Sequence, residues 1–188
     1  MPASRPTLVY VMGPAGAGKD SVLRYARERL GGRYPVAFAH RYITRPRGTD
    51  IEDYIALSPG EFALRKRRGL FAFDWSAYGF RYGIGVEIRA WRAAGLIVVV
   101  DGSRAHFARH AARLRGVLPV LVTVDEAELS RRLIRRGREG RAAIERRLRR
   151  ARSFAPEHAA LVTIDNSGPL EAAGDRFCRL LRACAAAK

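Results

Sequence analysis

Lysine is nearly missing from this chain. Only Lys19, Lys66 and Lys188 occur in 188 residues, although Lys and Arg together number 35. The basic side chains are therefore almost all arginine. Acids are scarce as well, and 18 Asp and Glu leave a formal net charge of +17. Such an excess admits four readings: a nucleic-acid partner, an anionic membrane surface, heavily phosphorylated small molecules, or codon bias with no partner behind it. Aromatic residues are not interleaved with the basic run from Arg131 to Arg152. A single-strand binder needs them there for base stacking, so nucleic acid is disfavoured.

Cysteine is almost absent too. Cys178 and Cys184 are the two present. Six positions apart on a helix, their side chains diverge, which excludes a disulfide. With no C-x-x-C pair, zinc ribbons and dithiol redox motifs drop out. Both cysteines are expected to pack on the last helix. Long apolar runs are lacking: none approaches the ~20 residues that span a bilayer, so no membrane partner is expected. The opening "MPASRP" is not followed by a signal-like apolar segment, and the expected location is the cytoplasm. The sequence sets no oligomeric state.

What is present suffices for one compact domain. Hydrophobic residues make up 48%, enough to build a core at this length. "TLVYVM" (7–12) reads as a buried strand, and "KDSVLRYARERL" (19–30) as a helix, with Val22, Leu23, Ala26 and Leu30 on one face. Further strands are expected at 36–40, 96–102, 119–125 and 160–166. Helices are expected at about 86–94, 103–114, 126–136, 142–153 and 169–184. Buried strands alternating with helices predict an α/β fold with a central parallel sheet and helices on both faces. Residues 41–84 break the alternation. They hold two strand-like pieces, "YIALS" and "LFAFDW", and a helix from Pro59 to Arg68, and read as an inserted substrate-binding region.

Between the first strand and helix lies "GPAGAGKDS" (13–21). It follows G-x-x-x-x-G-K, but Asp20 stands where Ser or Thr is usual, and Ser21 brings a hydroxyl one place late. A loop of this kind wraps backbone N–H groups around phosphate, and the helix N-terminus adds partial positive charge. Gly13, Gly16 and Gly18 permit close approach, with Pro14, Ala15 and Ala17 completing the cradle. Lys19 would reach the β- and γ-phosphates of ATP. Asp20 can give Mg²⁺ a carboxylate oxygen in place of the hydroxyl. Ser21, about 100° further round the helix, is the poorer substitute. The loop alone says NTPase or kinase.

"AHRYITRPR" (39–47), "DYIALS" (53–58), "FDWSAYGFRYGIGVEI" (73–88), "VVVDGSRAHF" (98–107) and "RLIRRGRE…IERRL" (132–148) narrow this. Their order resembles that of the guanylate kinase-like superfamily. Within it, "GKDS", "HRYITR", "YGIGVEI" and "GSRAH" resemble the ribose 1,5-bisphosphate phosphokinases of phosphonate catabolism. That resemblance makes Asp20 a family residue rather than a damaged one. It implies a three-layer α/β/α P-loop kinase domain over 1–188. The core would be 7–40 and 85–184, the acceptor-binding insertion about 41–84, and a short lid about 136–142. It also implies transfer of the ATP γ-phosphoryl group to a small phosphorylated sugar.

Site residues follow from the same resemblance. Arg41, Arg45 and Arg47 lie where the superfamily holds the acceptor phosphate. Tyr54 and Tyr82 match tyrosines that hydrogen-bond it. Arg136 and Arg138 fall in the lid, and Arg147 on the next helix; Arg138 and Arg147, with Lys19, would stabilise the transferring group. Asp101 ends a buried strand, where a carboxylate orients metal-bound water or substrate. Asp74 stands where guanylate kinases place the glutamate that reads guanine, and suits ribose hydroxyls equally. Departures exist: Tyr78 replaces an expected His, Asp101 an expected Asn, and only Pro46 separates Arg45 from Arg47. The rivals are a guanylate kinase and a catalytically silent binding domain of that fold. His106 and His110 are four apart on a predicted helix, but with no third ligand they are expected to be packing or surface residues.

Overall fold

The computed structural model describes residues 7–46, 54–137, 140–152 and 156–186. In chain order the first half holds β1 (Leu8–Met12), α1 (Lys19–Leu30), β2 (Val36–Phe38), β3 (Arg41–Ile43), β4 (Tyr54–Ala56), α2 (Pro59–Arg67), β5 (Phe71–Ala77) and β6 (Phe80–Gly85). The second half holds α3 (Glu87–Ala93), β7 (Ile97–Asp101), α4 (Arg104–His110), β8 (Val117–Thr123), α5 (Glu126–Arg136), α6 (Arg141–Arg152), β9 (Val162–Asp165) and α7 (Leu170–Ala186).

Five strands form the central sheet in the order β2-β7-β1-β8-β9, every pairing parallel. Period-two alternation divides β1 between two cores. Val9 and Val11 pack with Val22 and Tyr25 of α1 and Phe177 and Leu181 of α7. Leu8, Tyr10 and Met12 face the other way, toward Ile88 of α3 and Phe107 of α4. A sheet buried on both faces needs strands that are apolar throughout, and all of β1 and β7 is buried. Both cysteines, reduced, lie in the α1–α7 core.

The second face is not covered by helices alone. It is shared with a small sheet, order β4-β3-β6-β5, that contributes Ile43, Tyr54, Trp75, Tyr82 and Ile84. Strands β3 and β6 were not foreseen. β3 is three residues long, and β6 contains two glycines, which weaken any strand signal. Gly83 is there for the ring of Phe71, which would stand 2.6 Å from a Cβ at that position. The expected helix 103–114 is shorter: α4 stops at His110 and a single 3₁₀ turn follows. Helices α5 and α6 form their own seam of Leu129, Leu133 and Ile144, with Leu148 beside it. Ile134 does not join that seam and is exposed. Among the described residues, no helix is long and apolar enough to cross a membrane.

Candidate active site

Parallel strands deliver their carboxyl ends to one edge, where α/β proteins bind ligands. Here that edge carries the loop after β1, Asp101 at the end of β7, and Asn166 just beyond β9. The loop is shaped by a turn in which the Ala17 N–H donates to Pro14 O at 3.2 Å. Gly18 caps α1 in the left-handed region, with φ of 81°. Its O accepts the first helical bond, from Val22 N–H at 3.1 Å. The N–H groups of the first turn lack helical acceptors, so an anion can use them. Lys19 opens α1 and Asp20 follows it. Gly13 has no room for a side chain, since a Cβ would meet Val122 O at 2.4 Å.

Asn166 holds this loop from below. It is 3% exposed, and its Nδ2 donates to Ala17 O at 2.7 Å. A Cβ at Gly18 would stand 2.4 Å from that nitrogen, so close approach and positive φ both demand glycine there. Arg132 of α5 donates from Nη2 to Asn166 O and from Nε to Glu128, each at 2.7 Å. The Arg132 hydrogen bond holds the Glu128 carboxyl below the usual range.

Arg41 bridges two acids. Its Nη2 lies 2.8 Å from Asp20 Oδ1 and its Nη1 lies 2.7 Å from Asp101 Oδ2. Through the small-sheet register, Arg41 sits opposite Tyr54 on β4 and Ile84 on β6, and Tyr82 sits opposite Ile43. Four of the sequence-derived acceptor residues, Arg41, Tyr54, Asp74 and Tyr82, thus share one sheet. Arg45 places its guanidinium 4.7 Å over the Tyr54 ring. The Tyr54 hydroxyl donates to Pro46 O at 2.9 Å. Tyr82 stacks on Trp75, centroids 5.5 Å apart. Asp74 is paired with Lys66 of α2. Arg147 of α6 lies 5.0 Å over the ring of Tyr78, at the tip of the β5–β6 hairpin. Arg47, Arg138 and the side chain of Arg136 lie outside the described residues.

His106 is packed against aromatic rings. It is 4% exposed, its Nδ1 lies 3.1 Å from the Tyr10 hydroxyl, and its ring stacks on His110 at 4.3 Å. Burial, then His110 and Arg109, lower its pKa to about 4. Among the described residues no cluster of three or more metal-type side chains occurs.

Lys66, Arg132 and Asn166 were not singled out from the sequence. Asn166 had a readable signal, a polar residue directly after the apolar strand "ALVTID" at the ligand edge of the sheet. Lys66 and Arg132 had none, because each sits in a run of other basic residues.

A glycine loop between strand and helix, on a parallel sheet with an inserted second sheet, defines a P-loop kinase. A family model described as an AAA domain matches residues 9–152. The guanylate kinase of Anaplasma phagocytophilum has the same fold, with a TM-score of 0.71 at 16% identity over 99% of this chain and 89% of that one. Curated relatives narrow the class. Ribose 1,5-bisphosphate phosphokinase PhnN of Desulfomicrobium baculatum is 50% identical over 174 residues, covering 93% of each chain. Its namesake from Thiobacillus denitrificans is 46% identical over 181 residues, covering 96% of this chain and 95% of that one. The chain belongs to the ribose 1,5-bisphosphate phosphokinase family.

Proposed function

We propose that the protein transfers the γ-phosphoryl group of ATP to the 1-phosphate of ribose 1,5-bisphosphate. The product is 5-phosphoribosyl 1-diphosphate, and the setting is phosphonate breakdown in the cytoplasm. The single observation that carries this reading is near-full-length likeness to relatives of that name, at 50% identity.

The residues suit the reaction type. The acceptor is a phosphate oxygen, anionic near neutral pH because its second pKa is about 6. No general base is required. The work is to hold crowded anions and stabilise the charge that spreads during transfer. The loop amides and Lys19 would bind the donor phosphates. Arg41, Arg45, Arg47, Tyr54 and Tyr82 would bind the acceptor phosphate, and Asp74 its hydroxyls. The small sheet is thus the acceptor-binding region. The segment about 136–142 is the lid, with Arg138 and Arg147 closing over the transferring group. Mg²⁺ fits the carboxylates of Asp20 and Asp101, which here share a positively charged guanidinium as a stand-in cation. When bound, it would neutralise charge on the donor phosphates.

Phosphorus NMR tests the reading. Protein, ATP and Mg²⁺ are mixed with ribose 1,5-bisphosphate or with GMP. A new diphosphate on the sugar is the expected result. Turnover of GMP without turnover of the sugar would show a guanylate kinase. Turnover of neither would show a binding domain.

A further inference from the structure

We propose that Arg41 is a built-in placeholder for the divalent cation, and that metal loading releases its guanidinium toward the acceptor. The phosphoryl-transfer reading supplies the acceptor's identity; the exchange itself does not depend on it.

Three elements meet at this point. Asp20 comes from the first turn of α1, Asp101 from the end of β7, and Arg41 from β3 of the small sheet. The side chains of Arg41 and Asp101 are only 11% and 6% exposed. Two carboxylates at the mouth of one cradle repel each other, and poor hydration makes that repulsion worse. The Arg41 fork relieves it with one contact to each acid. A hard dication takes carboxylate oxygens of the same kind. The guanidinium and the metal would therefore compete for Asp20 Oδ1 and Asp101 Oδ2.

Exchange has a direction. Arg41 stays anchored to β3, opposite Tyr54, whose ring carries Arg45. A guanidinium turned off the two acids becomes a forked anion receptor on the acceptor side. Filling the donor side thereby prepares the acceptor side, and by linkage acceptor binding favours metal loading.

The test uses nucleotide-free protein and Mn²⁺ as the probe metal, with the free-Mn²⁺ EPR signal reporting binding. A wild-type site already filled by Arg41 binds metal with an affinity reduced by the rarity of its open form. Arg41→Ala is expected to bind Mn²⁺ about ten-fold more tightly than wild type, within the usual range of coupling. Arg41→Met, which keeps the apolar stem, should do the same, and it decides alone if Arg41→Ala fails to fold by circular dichroism. Adding Asp101→Asn should abolish the gain. Folded Arg41 variants that bind Mn²⁺ no better than wild type overturn the proposal, as does a gain that survives Asp101→Asn. No acceptor is present, so failure of the ribose assay leaves this result standing.

Discussion

Lys19 is the only lysine in the phosphate cradle, at the first position of α1. Lys19→Ala should lower kcat by about 10²–10³-fold, the usual loss when one charge-stabilising donor is removed. Steady-state kinetics beside a thermal melt would separate this from unfolding. Asp20 and Ser21 are the two candidates for the proposed metal-ligand role. Asp20→Ala should abolish Mg²⁺-dependent turnover far more than Ser21→Ala, and the reverse order would make the late hydroxyl the metal ligand. His106 acts on stability instead. Its folded pKa, about 4, lies below the ordinary 6.5. The unfolded chain therefore takes up a proton that the folded chain refuses. Stability is full above pH 6.5 and falls as pH drops toward 4, by up to about 3 kcal/mol. Urea midpoints between pH 6.5 and 5 should fall in wild type and less steeply in His106→Asn. Much at this scale was legible. The cradle is contiguous in sequence, so its spacing exposed it. The partners of Arg41 were not, because Asp20, Arg41 and Asp101 meet only through folding.

Among the elements, β9 does more than close the sheet. It delivers Asn166 beneath the loop after β1, joining the sequence-distant Ala17 and Arg132. Asn166→Ala would leave Ala17 O buried without its donor, at a cost of about 1–3 kcal/mol. The expected outcome is a lower urea midpoint together with weaker binding of an ATP analogue by calorimetry. Unchanged nucleotide affinity would reduce Asn166 to a packing role. The central strands were readable because a sheet buried on both faces must be written in continuous apolar runs. The small sheet was only half readable. It mixes one parallel pairing, β3 with β4, with antiparallel pairings across glycines and a bulge, and β3 is too short to show a period. The seam between α5 and α6 is built by Leu129, Leu133 and Ile144 with Leu148 beside it, while Ile134 faces outward.

For the molecule as a whole, the net charge of +17 needs a consequence that can be measured. If arginine excess gathers phosphorylated substrates, raising salt from low to moderate should raise the KM of the sugar about three-fold with little change in kcat. A steep salt dependence of RNA or DNA affinity would instead revive the nucleic-acid reading.

The hairpin tip shows how distant parts are tied. Tyr78 has φ of 53°, which costs a residue with a Cβ about 1 kcal/mol. Its ring meets Arg147 of α6 in a cation–π contact that contributes about as much. The two terms nearly cancel. Drawing α6 away would remove that compensation, so the tip of the inserted sheet would relax. A displacement of one helix would then register as slackness in a turn belonging to another layer.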